Sequence, residues 1–419
     1  MDEYILRYRD VCGTTTLTII GPKIMIDLSD RVFVVHYHEI GLKGRNRDRF
    51  EEQLCANVRK ALTGLPFKTV RRISGRLLVI LRPDSPEDAV ARRLRTVFGI
   101  AYVAPAVVCA QDIETVRETT WRLVQDRTFR TFKIDAKRSE KRYPMTSVEI
   151  NIDVGDCIRI RSGAKVQLNS PELTCHIEIV EKIALLFTDR LRGPGGLPVG
   201  VSGKAVSLLS SGIDSPVASY RIMKRGVEIV FVHFHSQPYT NRNSQRNVEE
   251  IVSVLTRRQY RSTLYLVPFI GVQEKIMAGA PASHRVILYR RAMLRIAERI
   301  ALKEKAKALV TGENIGQVAS QTLSNILTIN EVATLPVLRP LSGDDKEEII
   351  AAAQRIGTYD ISIEPYEDCC SLFVPSHPET HANPQTVQAM EAGLDLDPAL
   401  EQAVAAAEVK TFEADFSRV

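Results

Sequence analysis

The sequence predicts an α/β protein in which a doubly wound parallel sheet follows two smaller α+β units. After residue 203, apolar strand-like runs alternate with amphipathic helical runs. This rhythm is typical of parallel sheets covered by helices on both faces. A Gly- and Pro-rich run at 192–204, RGPGGLPVGVSGK, marks a domain boundary just before that region. The chain of 419 residues is long enough for about three domains of ordinary size.

Residues 1–30 are expected to form a disordered N-terminal extension, and Met25 offers an alternative start. The segment 31–90 reads as a strand, a helix, two strands around a Ser-Gly turn, and a second helix. We predict that this second helix begins with Ser85 as its N-cap and Pro86 at its first position. Apolar residues at helical spacing predict the first helix: Phe50, Leu54, Val58 and Leu62.

The segment 91–192 is expected to contain two helices and two strands. The helices are DIETVRETTWRLVQD and SVEINIDVGDCIRIR, the latter in spite of its β-branched residues. The strands are TFKIDAKR and KVQLNSPELTCHIEIV. A linker at 193–203 leads into the predicted sheet domain at 204–395, and residues 396–419 are expected to form a tail or a helix.

In the sheet domain, four strands alternate with helices. The predicted strands are KAVSLLS, VEIVFVHFHS, STLYLVPF and AKALVTGE. The predicted helices are SPVASYRIMKRG, QRNVEEIVSVLTRR, SHRVILYRRAMLRIAERIALKEK and DKEEIIAAAQRIG. Ligands of such sheets bind at the carboxyl ends of the strands.

Positive charge is concentrated in two short runs, GLKGRNRDR at 41–49 and KIDAKRSEKRYP at 133–144, within a chain of net charge +6. Together they favour a nucleic-acid partner over a merely solvated surface. The candidate RNA-binding cations are Lys43, Arg45, Arg47, Lys137, Arg138, Lys141 and Arg142. The sequence shows neither a signal peptide nor an apolar run near the roughly 20 residues of a membrane span, so we expect a cytoplasmic location.

Seven cysteines without a C-x-x-C pair argue against a disulfide framework and against a zinc knuckle. Cys369 and Cys370 are adjacent in the Pro-flanked run YEDCCSLFVP. In a reducing compartment, a thiol in such a loop is a candidate for chemistry. His233 and His235 form an H-x-H on one strand face, but no third ligand is apparent and we predict no metal site.

The run SLLSSGIDSP follows the first strand of the predicted sheet and opens a helix. Unpaired backbone N–H groups and the helix dipole make such a turn a site for phosphate or diphosphate. This part of the chain contains no Walker A loop, because a motif that ends at Gly203-Lys204 needs Gly where Pro198 stands. It contains no dinucleotide fingerprint either, because a motif that begins at residue 210 needs Gly where Ser215 stands.

The loop resembles the pyrophosphatase (PP) loop S-G-G-x-D-S of enzymes that split ATP into AMP and diphosphate. Ser211 departs from that pattern, since it replaces the first Gly. If the position needs a positive φ, Ser costs about 1–2 kcal/mol; alternatively its hydroxyl donates a hydrogen bond.

The rest of the chain resembles the bacterial tRNA 4-thiouridine synthetases, also called tRNA uridine 4-sulfurtransferases. The resemblance rests on EIGLKGRNR, GPGGLPVGVSGKAVSLLSSGIDSPVASYRIMKRG, YRRAMLRIAERIA, TGENIGQVASQTLSN, LPVLRPLSGDDKEEII and IGTYDISIEPYEDCCSLFVP, which cover about 31–385. It implies a ferredoxin-like domain at 31–90, a THUMP RNA-binding domain at 91–192 and a PP-loop ATP pyrophosphatase domain at 204–395.

The family's ATP site, carried over by position, implies a set of binding residues: Leu208, Leu209, Ser210, Ser211, Gly212, Asp214, Ser215, His233, Phe234, Arg290, Gly312 and Gln321. Asp214 is implied to act in activation with Mg²⁺ and diphosphate. Without the resemblance, Asp214 is equally well read as a helix N-cap and Arg290 as a solvated helix residue.

The resemblance also implies the reaction and its partners. ATP adenylates O4 of uridine 8 in tRNA, and a cysteine persulfide loaded by a cysteine desulfurase then attacks C4. Cys370 is the favoured carrier and Cys369 the alternative. The family further implies a homodimer and a role in supplying sulfur for thiamine thiazole. The C-terminal run after Cys370 contains no cysteine, which indicates the form without a rhodanese domain.

Two alternatives remain open. One is another PP-loop enzyme that adenylates a different RNA base or a small molecule. The other is an RNA-binding protein whose ATP site has decayed, for which Ser211 is the only support in the sequence.

Overall fold

A computed structural model of the protein describes residues 5–11, 14–21, 24–28, 30–239, 242–365 and 377–416. The chain divides into two compact units, the first ending at Gly196 and the second spanning Leu197–Arg418. Within the described ranges, no helix is long and apolar enough to cross a membrane.

The N-terminal 30 residues contain regular structure, contrary to the expectation of a disordered extension. Three strands pair in sequence as an antiparallel meander: β1 (Ile5–Val11), β2 (Thr14–Gly21) and β3 (Ile24–Asp27). The sequence of β2, TTTLTIIG, is rich in β-branched residues, which favour extended backbone. That propensity is the signal that the prediction overlooked.

The rest of the first unit is a mixed sheet with helices. Its strands are β4 (Val32–His36), β5 (Thr69–Ile73), β6 (Arg76–Ile80), β7 (Tyr102–Ala110), β8 (Thr131–Arg138), β9 (Lys165–Val166), β10 (Leu173–Val180), β11 (Ile183–Phe187) and β12 (Leu191–Arg192). Its helices are α1 (Arg47–Ala61), α2 (Glu87–Leu94), α3 (Ile113–Val124) and α4 (Ser147–Ser162).

The strand order β5-β6-β4-β7-β11-β10-β8-β9, with β12 beside β7, makes one continuous sheet of the segments predicted as two units. β7 is the joint, because it pairs with β4 on one side and with β11 on the other. The run KVQLNSPELTCHIEIV, predicted as one strand, is divided into β9 and β10. The intervening segment contains Pro171, and Ser170 has a φ of 49°, which a continuous strand does not allow.

Two helix starts contrast prediction with structure. The prediction of α4 is confirmed, and its start is a capping box in which Thr146 and Glu149 each accept a backbone N–H of the other. Ser85, by contrast, is not the cap of α2. Its hydroxyl donates to the carbonyl of Pro66 (2.6 Å) and accepts from the N–H of Arg82 (2.8 Å), so it is not available to the helix.

The second unit is the predicted doubly wound sheet. Its strands are β13 (Lys204–Leu208), β14 (Glu228–His235), β15 (Arg261–Pro268), β16 (Leu309–Val310), β17 (Val337–Leu338) and β18 (Glu408–Glu413). Its helices are α5 (Asp214–Met223), α6 (Asn243–Gln259), α7 (Ile270–Gly279), α8 (Arg285–Lys303), α9 (Leu323–Asn330), α10 (Lys346–Ile356), α11 (Tyr359–Ser362), α12 (Pro384–Ala392) and α13 (Asp397–Ala405).

The order β17-β16-β13-β14-β15-β18 places β13, which leads into the SLLSSGIDSP loop, in the middle of this sheet. All neighbouring strands in it are parallel except β18, which is antiparallel to β15. β18 lies in the segment predicted as a tail or a helix. The fold class is confirmed, and the sheet continues past residue 395 to Glu413.

Ion pairs of α8 fasten the C-terminal helices to the sheet domain. Arg291 is 2% exposed, donates to Glu391 through Nε (2.9 Å) and Nη2 (2.6 Å), and contacts Glu331 at 3.0 Å. Arg295, one turn further along the helix, reaches Glu391 and Asp397 from a position 27% exposed in its side chain.

We expect Arg291→Met to lower the free energy of unfolding of the second unit by roughly 3 kcal/mol, because it removes a buried guanidinium that pairs with both Glu391 and Glu331. Arg295→Met is the matched control and should cost about 1 kcal/mol or less. Urea unfolding followed by circular dichroism measures both. The single tryptophan, Trp121, lies in the first unit, so its fluorescence transition should not shift. Equal losses in the two variants would contradict this account.

Candidate functional site

A cavity of about 440 Å³ opens in the second unit at the carboxyl ends of β13 and β14, beside α8. Most of the predicted ATP-binding residues line it: Leu208, Leu209, Ser210, Asp214, Ser215, His233, Phe234, Arg290, Gly312 and Gln321. The topology explains this clustering, because the carboxyl ends of parallel strands lie at the same edge of a sheet.

The loop between β13 and α5 is held by a pair of serines on the cavity side. The Ser215 hydroxyl accepts the N–H of Ser210 (2.9 Å) and lies 3.1 Å from both the carbonyl and the hydroxyl of Ser210. These contacts close the loop over the first turn of α5, where backbone N–H groups lack helical partners. The turn therefore has the geometry of an anion site.

Two of the predicted ATP-binding residues do not line the cavity. Ser211 is fully buried, and its hydroxyl lies 3.3 Å from that of Ser244. The carbonyl of Gly212 accepts a hydrogen bond from Ser362 (3.4 Å). Ser211 is not among the residues with positive φ, so the strain considered for a serine at this position does not arise.

Asp214 is the first residue of α5 and not its N-cap, so the alternative interpretation of this residue is wrong. Its carboxylate accepts from the ammonium of Lys346 (2.7 Å) and from the amide of Gln317 (3.0 Å). The sequence analysis missed both partners. Lys346 was visible only as a residue of the predicted helix DKEEIIAAAQRIG.

Arg290 faces the cavity in an ion pair and is not a solvated helix residue. It donates to Glu313 (2.8 Å), whose other oxygen accepts from Arg339 (2.6 Å) and from the hydroxyl of Thr311 (2.9 Å). Burial acts to raise the pKa of Glu313, but the two guanidinium groups outweigh it and the pKa lies below its ordinary value. Glu313 is therefore a buried anion that pairs with Arg290 at the cavity and with Arg339.

Both ring nitrogens of His233 on β14 have partners within the protein. His233 is 3% exposed, and its Nδ1 lies 2.9 Å from the carbonyl of Leu209. Burial, followed by the neighbouring His233, lowers the pKa of His235 to about 4. Within the described ranges, no three His, Cys, Asp or Glu side chains are grouped for a metal ion.

Gly312 contacts the start of α5 more closely than any other residue type could. A Cβ on Gly312 would lie 2.7 Å from the N of Ser215 and 2.8 Å from its Cα. These are backbone atoms, which cannot move aside as the end of a flexible side chain does. The TGE run thus supplies the glycine on which the loop rests.

The cysteines predicted to carry sulfur, Cys369 and Cys370, lie outside the described residues. Pro378, which follows that segment, lines the cavity. The described chain that follows the two cysteines therefore lies at this cavity.

An open groove of about 690 Å³ in the first unit is lined by one predicted RNA-binding cation, Arg47, and by Ser139 of the other cation run. Arg71 and Arg72 also line it, together with the carboxylates of Asp48, Glu51 and Glu181. Four of the predicted RNA-binding cations are exposed: Arg45, Lys137, Lys141 and Arg142.

The other three predicted RNA-binding cations have intramolecular partners. Arg47 donates to Glu51 (2.7 Å) and Tyr37 (2.8 Å). Arg138 donates to the carbonyls of Lys141 and Tyr143, each at 3.2 Å, and Lys43 lies over the ring of Phe50 at 5.2 Å. Because these three side chains already have partners within the protein, they are less available to RNA phosphates than the four exposed cations.

Sequence profiles of known families match three consecutive segments of the chain. They are described as a ThiI ferredoxin-like domain at residues 32–104, a THUMP domain at 110–189, and Thiamine biosynthesis protein (ThiI) at 200–396.

Curated relatives match over nearly the whole chain. A probable tRNA sulfurtransferase of Moorella thermoacetica is 46% identical over 86% of this chain and 92% of its own length. One from Thermus thermophilus is also 46% identical, over 90% of this chain and 92% of its own.

Solved structures agree with these matches. The crystal structure of a 4-thiouridine synthetase–RNA complex with bound ATP is similar with a TM-score of 0.82 and 40% identity, covering 92% of this chain and all of that one. The structure of PH1313 from Pyrococcus horikoshii is similar with a TM-score of 0.62 and 25% identity, over 78% of this chain and 99% of that one. On these identities and coverages, the chain belongs to the tRNA sulfurtransferase family.

Proposed function

We propose that this protein converts uridine 8 of tRNA to 4-thiouridine by ATP-dependent sulfur transfer. The proposal rests on the loop Ser210–Ser215, which leads into the N-terminus of α5 and lines a cavity of about 440 Å³. The Asp214–Lys346 ion pair lies at the same helix end. The similarity to an ATP-bound 4-thiouridine synthetase supports the same reading.

In the first step, O4 of uridine attacks the α-phosphorus of ATP. An O–P bond forms, the bond to the β-phosphate breaks, diphosphate leaves, and N3 of the uridine loses its proton. The N–H groups at the start of α5 and the Lys346 ammonium stabilise the charge on the departing diphosphate. Arg290, held by Glu313, is positioned to contact the adenylate.

Mg²⁺ fits this site through Asp214, since Mg²⁺ is commonly bound by one or two carboxylates together with substrate phosphates. The ion would neutralise phosphate charge during the displacement. Lys346 and Gln317, which now contact the carboxylate, would have to share it with the ion.

In the second step, the terminal sulfur of a cysteine persulfide attacks C4 of the adenylated uridine. A C–S bond forms and AMP leaves with the former O4. Two equivalents of an external thiol then reduce the sulfur–sulfur bond between the cysteine and the uridine sulfur and are themselves oxidised to a disulfide, which releases 4-thiouridine and the cysteine thiol. We assign the persulfide to Cys370, with Cys369 as the alternative, and propose a cysteine desulfurase as its source. The thiamine role that the family description names would draw on the same persulfide.

The assay that tests the function combines the purified protein with ATP, Mg²⁺, unmodified tRNA, a persulfide donor and a thiol reductant. We expect 4-thiouridine, detected by its near-ultraviolet absorbance, together with AMP. AMP formation without thiolation would favour an enzyme that adenylates another acceptor. tRNA binding without AMP would favour an RNA-binding protein with a decayed ATP site.

Cys370→Ala should keep AMP formation and lose thiolation, because only the second step needs the sulfur carrier. Cys369→Ala is the matched control and should retain both activities. Thiolation by Cys370→Ala at the rate of the unaltered protein would overturn the assignment of the carrier.

Gly312→Ala should raise the Kd for ATP at least tenfold, on the order of 1.4 kcal/mol, because the added methyl group collides with the backbone of Ser215. Gly271→Ala is the matched control. It lies in α7 with nothing within 4 Å of the new Cβ, so the helix should be unaffected or slightly more stable. Calorimetric titration with ATP measures both, and an unchanged Kd for Gly312→Ala would refute the close-packing argument.

We propose that the exposed cations of the two runs contact phosphates of tRNA. Lys137→Glu and Lys141→Glu should each weaken tRNA binding and reduce the slope of log K against log salt by about 1. Arg92→Glu, an exposed change on α2 outside the two runs, is the control for net charge. Filter binding across a salt series gives the slopes, and three equal slopes would exclude Lys137 and Lys141 as phosphate contacts.

A further inference from the structure

The serine that departs from the PP-loop pattern belongs to a buried chain of hydrogen bonds. Ser211 lies 3.3 Å from Ser244 at the start of α6, and Ser244 lies 3.2 Å from Nε2 of His233 on β14. Nδ1 of His233 then lies 2.9 Å from the carbonyl of Leu209. All three polar side chains are at most 5% exposed.

The direction of this chain follows from its last member. A carbonyl oxygen only accepts, so Nδ1 of His233 must donate to Leu209. In a neutral imidazole Nε2 is then an acceptor, and the hydroxyl of Ser244 donates to it. The oxygen of Ser244 is left to accept, and the hydroxyl of Ser211 donates to it. With a neutral His233, the donor and the acceptor of each of the three hydrogen bonds are therefore determined.

The chain spans the base of the phosphate loop. One end holds the carbonyl of Leu209, where the loop leaves β13, and the other end holds the side chain of Ser211 two residues later. On the opposite side, Ser210 and Ser215 are bonded to each other and line the cavity. The loop is thus fixed by one serine pair facing the cavity and by another facing the protein interior.

We propose that Ser211, Ser244 and His233 form a positioning relay that holds the loop in the shape that binds the diphosphate of ATP. A glycine at position 211 has no hydroxyl to donate. The Ser211–Ser244 hydrogen bond would therefore hold the loop by a contact that is missing where the PP-loop pattern S-G-G-x-D-S has glycine at this position. The inference rests on the proposed function, because it takes the loop to be the diphosphate site. Ser211 is then a built-in part of the site and gives no support to a decayed one.

The test compares Ser211→Ala, Ser211→Gly, Ser244→Ala and the double variant Ser211→Ala/Ser244→Ala. We expect each single change to raise the Kd for ATP about three- to tenfold, the range expected for one lost hydrogen bond. The double variant should be weaker than the unaltered protein by less than the product of the two single effects, because both changes break one chain. KM for ATP should rise in parallel while kcat for AMP formation stays near its original value.

Ser262→Ala is the matched control for the loss of a buried hydroxyl. Ser262 is 2% exposed and accepts from Thr256 (2.7 Å) and Gln259 (2.8 Å), and it does not line the cavity. It should lower the melting temperature about as much as Ser211→Ala does, and it should leave the Kd and KM for ATP unchanged.

Two results would overturn the relay: ATP binding by Ser211→Gly as tight as in the unaltered protein, or effects of Ser211→Ala and Ser244→Ala that multiply independently. The calorimetric Kd separates this inference from the proposed function. A protein that binds ATP but makes no 4-thiouridine refutes the function, while the Kd values of the variants still decide the relay.

Discussion

The contact between Gly312 and the first turn of α5 is the constraint on which the site depends. Two elements from distant parts of the chain approach until a single added carbon would lie 2.7 Å from a backbone nitrogen. That approach brings the end of β16 against the loop after β13, and so places Glu313 and Arg290 on the wall of the cavity whose floor is the loop. A looser contact would separate the anion-binding turn from the cations beside it.

Charge at the cavity is arranged in two buried or half-buried groups. Glu313 holds Arg290 and Arg339, and Asp214 holds Lys346. In both groups a carboxylate fixes a cation before any phosphate arrives, so the cation needs little reorganisation when the substrate binds.

Local sequence patterns predicted the strands β13 to β16 and the helices α5, α6, α8 and α10 of the sheet domain. Most of the predicted ATP-binding residues lie at one edge of that sheet, because the carboxyl ends of parallel strands converge there. The local patterns failed where a distant partner decides the outcome. Ser85 looks like a helix cap until Pro66, from another segment, takes its hydroxyl. Glu313 and Lys346 form their ion pairs with Arg339 and Asp214, which are distant in the sequence. The segment of β18 is a strand because it pairs with β15. In the sequence, Ser211 is visible only as a departure from the PP-loop pattern. Its hydrogen-bond partner Ser244 lies 33 residues later, at the start of α6.

The most direct test of the account is the fate of the oxygen that sulfur replaces. With ¹⁸O at O4 of uridine 8 in the tRNA substrate, mass spectrometry of the AMP formed during thiolation reports whether that oxygen was adenylated. Attack of O4 on the α-phosphorus followed by loss of AMP predicts one ¹⁸O in the AMP for each 4-thiouridine made. Unlabelled AMP alongside 4-thiouridine would contradict activation of O4 by adenylation.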